Sequence, residues 1–504
     1  MSFSHDRRDS ERGKITTGVS GLDNILAGGL TAGRLYLVEG EPGAGKTTLA
    51  LQYLLEGVRC NEKVLYITLS ETFAEVMGVA ASHGWSLDGV DIHEIVPSEG
   101  SLDPNEQYTF FDPSEVELGE TIQNVLSKVD ALKPVRVVFD SLSELRLLAA
   151  NPLRYRRQVL ALKQYFAARG CTVLLLDDRA SSEQDLQVHS IAHGVLRLDQ
   201  INPEYGAERR RFMVLKYRGV QYIGGYHDFI IRRGGLQIFP RLVSANSTNQ
   251  EKSGQISSGV PHLDMLLGGG LERGTSTLIA GAAGTGKSTL AAQFAAAAAA
   301  RGQMAAMFVF EESATTLLRR TDGLGIGLRQ AISSGRLTIR QVDPAEMSPG
   351  EFAHMVCNAA SVGKAEVIVI DSLNGYFNSM PDERHLAIHL HELLTHLGQY
   401  GVVTLLIGAH KGLIDSAMIT AADASYIADG IILLRYFEAI GAVHQAISVV
   451  KKRGGVHERT IREFRLSSKG IHVGEPLREF HGVLTGVPIY EEINSPLNEE
   501  AGND

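Results

Sequence analysis

Two tandem α/β domains, each built on a mainly parallel central sheet, are the fold predicted by this 504-residue sequence. Three observations predict it. First, the chain repeats itself: TTGVSGLDNILAGGLTAGRLYLVEGEPGAGKTTLA returns as SSGVPHLDMLLGGGLERGTSTLIAGAAGTGKSTLA, with Val19 matching Val260 and Gly40 matching Gly281, both 241 positions apart. A repeat of about half the chain points to two tandem domains. Second, each half runs through short Val/Ile/Leu-rich segments without period-two alternation, as strands do when helices cover both faces of a parallel sheet. Third, the halves are separated by SANSTNQEKSGQ, Ser244–Gln255, which holds no large apolar residue and reads as a linker.

The elements follow in the same order in both halves. After a polar, charged start (residues 1–13, expected to be disordered), the first domain spans 14–243. An apolar strand leads into a glycine-rich turn and a helix. A second strand ends in acid, KVLYITLSE, a third in aspartate, VRVVFDS, and a fourth is CTVLLLDD. The second domain, 256–488, repeats these as AAMFVFEE, AEVIVIDS and VVTLLIGAH, and residues 489–504 form an acidic tail expected to be disordered. Strands alternating with helical segments are the pattern of a parallel α/β sheet.

Composition narrows the function classes. With 44% hydrophobic residues the chain has material for large cores. A net charge of −10 disfavours a nucleic-acid coat protein and anchoring to an anionic membrane. Cys60, Cys171 and Cys357 lie far apart and form no CxxC pair, which fits a reducing compartment. The most apolar stretch, Thr289 to Phe310, is broken by Gln293, Arg301 and Gln303, and its alanine run favours helix over bilayer span. The expectation is a soluble cytoplasmic protein.

The chemistry concentrates in two loops. Gly40–Thr47, GEPGAGKT, and Gly281–Ser288, GAAGTGKS, both fit G-x-x-x-x-G-K-[ST] without mismatch. Glycines (Gly40, Gly43 and Gly45; Gly281, Gly284 and Gly286) let backbone N–H groups wrap a phosphate chain, and the following helix N-terminus adds positive potential. Lys46 and Lys287 are expected on the β- and γ-phosphates of ATP, Thr47 and Ser288 on Mg²⁺, with Thr48 and Thr289 completing the nucleotide site. Asp140 and Asp371, which end the third strands, are expected to hold the Mg²⁺ water shell. After the second strands come Glu311 and Glu312, against Ser70 and Glu71 in the first half. A carboxylate there can orient or deprotonate an attacking oxygen, so Glu71, Glu311 and Glu312 are the candidate catalytic acids. The Ser70-for-Glu311 difference predicts different chemistry, or different rates, in the two halves. Late in each half a strand carries LKYRG (Lys216, Arg218) or VKKRG (Lys451, Arg453). Alternation puts each pair on one face, from which it can neutralise γ-phosphate charge.

Both halves resemble RecA-like P-loop NTPase domains, and the doubled arrangement resembles the KaiC family. The resemblance rests on the doubled GLD-x-x-L-x-GGL lead-in (Gly21 to Leu30, His262 to Leu271), the P-loops, the acids, both K-x-RG strands and the run IADGIILLRYFEAIGAVHQAISVVKKRG. It implies a double-ring homo-hexamer with ATP at subunit interfaces, the four basic residues acting in trans. It further implies a mainly ATP-hydrolysing first ring and a second ring that transfers phosphate to the neighbouring subunit, with Glu311 as general base. The implied acceptors are Ser425 and Tyr426, the latter departing from the family's threonine, with Thr420 as a nearby exchange site. The first half has His189 and Ser190 there, so no acceptor is expected. A KaiB-like partner and a histidine kinase or response regulator are compatible with the resemblance. KaiA is disfavoured, because the tail after Pro488 is short and acidic. The competing readings are a RecA/RadA-like DNA-dependent ATPase, against which the net charge stands, and a nucleotide-gated scaffold without kinase activity.

Three other features are expected to be structural. HLAIHLHELLTH, His385 to His396, lacks the H-E-x-x-H spacing of a zinc helix and reads as an amphipathic helix. Trp85 and the Phe110–Phe111 pair read as packing residues.

Overall fold

A computed structural model describes residues 13–95, 113–149, 151–178, 185–243, 253–378, 385–409, 427–439 and 441–478, with short pieces at 480–481, 483 and 489–490. The acceptor candidates Thr420, Ser425 and Tyr426, the pair Phe110–Phe111 and most of both tails and of the linker lie outside these residues. Contacts divide the chain into two compact units, Met1–Arg241 and Leu242–Asp504.

The first unit carries a nine-stranded sheet. Its strands are β1 (Leu35–Gly40), β2 (Val64–Thr68), β3 (Val90–Glu94), β4 (Arg136–Asp140), β5 (Thr172–Asp178), β6 (Gly194–Ile201), β7 (Arg209–Tyr217), β8 (Tyr226–Arg232) and β9 (Gly235–Phe239). Their order is β9-β8-β7-β6-β1-β5-β4-β2-β3. The pairings from β3 across to β6 are parallel, and β6 to β9 add antiparallel pairs. The second unit repeats the arrangement with β10 (Ser276–Gly281), β11 (Met304–Val309), β12 (Leu337–Gln341), β13 (Ala365–Asp371), β14 (Val403–Ala409), β15 (Gly430–Ala439), β16 (Ala442–Lys452), β17 (Ile461–Ser467) and β18 (Gly470–Pro476). The sheets are therefore mainly parallel, as the apolar runs predict.

The unbroken apolar runs are explained by burial on both faces. In β1, Tyr36 and Val38 pack with Leu49, Tyr53 and Leu54 of helix α1 (Lys46–Arg59), while Leu35 and Leu37 pack on the other side with Leu145, Val159 and Leu162. In β10, Ile279 joins Leu290 and Phe294 of helix α3 (Lys287–Ala300), while Leu278 faces Phe352, Leu390 and Leu393. The edge strands β3 and β12 are missed by a search for apolar runs. They read VDIHE and LTIRQ, because one side of an edge strand meets water.

The histidine-rich helix Leu386–Gln399 buries Leu386, Leu390, Leu393, Leu394 and Leu397, and His389 shares a 2.9 Å hydrogen bond with the Tyr376 hydroxyl. Trp85 is half-buried against the first core and lies 4.7 Å from the His83 ring. Cys60, Cys171 and Cys357 are free thiols. No described helix is long and apolar enough to cross a membrane.

Candidate functional site

Each P-loop joins the end of a central strand to a helix. Gly45 precedes α1 at φ +103° and Gly286 precedes α3 at φ +95°, a left-handed conformation that glycine adopts without steric cost. A Cβ at Gly40 would collide with the Leu198 carbonyl, and one at Gly281 with that of Leu434. The loop, the strand and the helix N-terminus thus leave a cradle lined by backbone N–H groups. Lys46 folds back over the first cradle, donating to the Gly40 and Glu41 carbonyls at 2.9 and 3.0 Å. Lys287 donates to the Ala282 carbonyl at 2.7 Å. Both lysines are buried.

Beside each cradle stands a strand-end carboxylate. Asp140 ends β4, accepts a 2.5 Å hydrogen bond from the Tyr66 hydroxyl, and is raised in pKa chiefly by burial, with Tyr66, Lys46 and the Thr47 hydroxyl opposing. Asp371 ends β13 and is likewise raised chiefly by burial, with the Ser288 hydroxyl opposing. A hydroxyl on the first turn of the helix facing a carboxylate is an oxygen-only donor pair, the chemistry Mg²⁺ selects. Among the described residues no group of three or more His, Cys, Asp or Glu could hold a metal.

The acids after β2 and β11 differ sharply. Leu69 N donates to the Asp140 carbonyl at 2.7 Å and Phe310 N to that of Asp371 at 2.8 Å, so Ser70 matches Glu311 and Glu71 matches Glu312. Glu311 accepts from the Ser372 hydroxyl at 2.9 Å. Glu312 is clamped in bidentate fashion by Nε and Nη2 of Arg320, at 3.2 and 2.7 Å, while Nη1 of Arg320 reaches Thr289. Glu71 has no such clamp. Its Oε2 is buried without a hydrogen-bond partner. Burial first, then the charges of Asp140 and Glu75, push its carboxyl up to about 7, with Lys46 opposing. The helix Phe73–His83, α2, has Val79 where its counterpart Ala314–Gly323 has Arg320, four residues beyond the matching N3 positions Glu75 and Thr316.

The K-x-RG residues lie elsewhere. Lys216 donates to the Ala192 carbonyl at 2.8 Å and to that of His189, and Arg218 to that of Ser190 at 2.8 Å. Lys451 donates to the Ala428 carbonyl at 2.7 Å, and Arg453 pairs with Asp429 at 3.3 Å. Lys216 and Lys451 lie within their strands, whereas Arg218 and Arg453 fall one residue past the strand ends Tyr217 and Lys452; Lys452 turns instead to the Leu267 and Gly270 carbonyls. They cluster where the central strand begins, since His193 N bonds the Leu35 carbonyl and Asp429 N that of Ser276. The P-loop starts at the other end of β1 or β10, five residue steps away. At about 3.3 Å per step that is roughly 16 Å. The structure thus groups Lys46, Thr47, Glu71 and Asp140 in one cradle and Lys287, Ser288, Glu311, Glu312 and Asp371 in the other, and sets the four basic residues apart from both.

Three participants escaped the sequence reading. Arg320 and Ser372 carry no motif. Asp178, which forms a 2.8 Å ion pair with Lys46, was visible only as the last letter of CTVLLLDD. At the place matching Ser425, His189 is tied by Nε2 to Glu39 at 2.6 Å.

A family model described as "ATPase: KaiC" matches residues 15–243 and again 256–478. The circadian clock protein KaiC3 of Synechocystis sp. is 29% identical over 485 residues, covering 95% of this chain and 95% of its own. The circadian clock oscillator protein KaiC of Thermostichus vulcanus is 30% identical over 490 residues, covering 96% and 93%. That of Synechococcus elongatus is 29% identical over 482 residues, covering 94% and 92%.

Proposed function

The chain belongs to the KaiC family of ATPases, and from that premise we propose an ATP-hydrolysing serine/threonine autokinase that works as a double-ring homo-hexameric switch in the cytoplasm. ATP sits in each cradle, with Lys46 or Lys287 on the β- and γ-phosphates. Thr47 with Asp140, and Ser288 with Asp371, hold Mg²⁺, which supplies Lewis-acid polarisation of the phosphate oxygens. In the first half a water oxygen bonds to the γ-phosphorus. The bond to the β–γ bridging oxygen breaks, its electron pair leaves on ADP, and the proton passes to Glu71. In the second half the Ser425 hydroxyl of a neighbouring subunit takes the place of water, and its proton passes to Glu311.

The observation that carries the assembly is the separation of the basic residues from their own P-loops. Lys216, Arg218, Lys451 and Arg453 stand at the far end of the central strand from their own P-loop, so the γ-phosphate whose charge they neutralise belongs to a cradle other than their own, and the proposal assigns it to a neighbouring copy. The direct test mixes two inactive populations: Lys287→Ala subunits, which lose the cradle, and Arg453→Ala subunits, which lose the donated cation. Mixed rings regain phosphotransfer if the arginine acts in trans; if the mixture stays as inactive as its parts, the trans reading fails. Labelled ATP with phosphosite mapping tests the kinase half. If ATP turns over while Ser425, Tyr426 and Thr420 all remain unmodified, the autokinase half is wrong. Mass measured with and without Mg-ATP reads the hexamer. A KaiB-like partner and a histidine kinase or response regulator belong to the same proposal, on likeness to relatives that are clock proteins by name.

A further inference from the structure

We infer that Asp178 supplies, from the end of β5, the carboxylate that Ser70 withholds from the first cradle, and so acts as a positioning residue for its hydrolytic water and for Lys46. The inference rests on the proposed ATP hydrolysis by the first half.

Strand register establishes the equivalence. Gly40 of the first P-loop pairs with Asp178, and Gly281 of the second pairs with Ala409. The two halves therefore exchange an acid between two strand ends: Ser70 with Asp178 in one, Glu311 with Ala409 in the other. The lysines register the exchange. Asp371 and Glu311 are the acids that act on Lys287. Lys46 is ion-paired to Asp178 at 2.8 Å, and both Lys46 and Asp178 act on Asp140 and on Glu71. Each cradle thus keeps three carboxylates: Asp140, Glu71 and Asp178 in the first, Asp371, Glu312 and Glu311 in the second.

The supports have moved with the acid. Asp178 N donates to Ser143 Oγ at 3.2 Å, Ser143 Oγ donates to Asp177 at 3.0 Å, and Arg146 pairs with Asp177 at 2.5 Å. Counting from the matched strand-end acids Asp140 and Asp371, Arg146 corresponds to Phe377; counting along β5 and β14, Asp177 corresponds to Gly408. The second half thus lacks this scaffold and holds Glu311 by Ser372 instead. A carboxylate within contact of the P-loop lysine lies where the γ-phosphate arrives. From there it can accept a hydrogen bond from the attacking water while Glu71 takes the proton. Fixing that water lowers the barrier without adding to ground-state affinity, because the same negative charge repels the phosphate.

The test uses the full chain with Lys287→Ala, so that first-half turnover is read alone. Asp178→Ala and the isosteric Asp178→Asn are expected to lower kcat about 10- to 100-fold with KM unchanged or reduced. Adding Ser70→Glu to Asp178→Ala is expected to restore kcat to within about 3-fold, because it transplants the second half's layout. Undiminished turnover in Asp178→Asn overturns the inference. So does a loss that Ser70→Glu leaves unrepaired, since a merely structural Asp178 cannot be replaced from another strand. If turnover in the Lys287→Ala chain is insensitive to Lys46→Ala, the first half is no ATPase, and the proposed function fails before Asp178 is read.

Discussion

The two cradles share their backbone and differ in how they hold charge. In the second, every acid outside the metal position has a partner: Glu311 has Ser372 and Glu312 has Arg320. In the first, Glu71 stands with one oxygen buried and unpartnered, held near a pKa of about 7 by burial and neighbouring acids. Asp178 and Lys46 neutralise each other a short distance away. Duplication preserved the anion cradle, which is made of backbone. The side chains around it diverged, because a salt bridge or a hydroxyl can be supplied from any strand end that reaches the same space. An unclamped carboxylate with a pKa near neutrality suits a base that takes a proton from water.

The largest effects come from removing what the cradles share. Lys46→Ala and Lys287→Ala are each expected to weaken nucleotide binding at their own site roughly 10²- to 10³-fold, read by equilibrium titration with a fluorescent ATP analogue. Variants that bind as tightly as the parent would remove the basis for both sites. Next come the acids. Glu71→Gln is expected to slow first-half hydrolysis about 10²- to 10⁴-fold. Glu312→Gln, whose charge Arg320 already satisfies, should cost the second half less; equal losses would break the comparison.

The pH profile sharpens it. The base role proposed for Glu71 requires its deprotonated form, and its pKa is raised to about 7. First-half turnover should therefore be low at pH 6, rise through about pH 7 and level off above it. Val79→Arg imports the clamp of the other half. Its added positive charge favours the carboxylate, so the rising limb should move to lower pH; a profile that stays put means that Glu71 does not set it. The smallest effect is Arg320→Ala. It frees a partly buried Glu312 and loosens Thr289, and is expected to cost second-half activity about 10-fold or less, seen in kcat rather than in folding.

Much of this was legible in residue order. The P-loops, the strand-end acids Asp140 and Asp371 and the doubled fold are local patterns, and a strand buried on both faces announces itself by its unbroken apolar run. Edge strands β3 and β12 were not legible, because half their surface meets water. Nor was the role of Asp178, since only the pairing of β5 with β1 brings it to Lys46, 132 positions earlier.

By itself the sequence determined the duplication, the parallel α/β architecture and the two anion cradles, for these depend on contiguous residues acting through backbone geometry. Only the tertiary structure decided which acid stands at which lysine, that Arg320 clamps Glu312 while nothing clamps Glu71, and that the basic strands end far from their own P-loops. Those facts depend on which strand ends meet in space, and electrostatic interaction follows distance through space rather than separation along the chain.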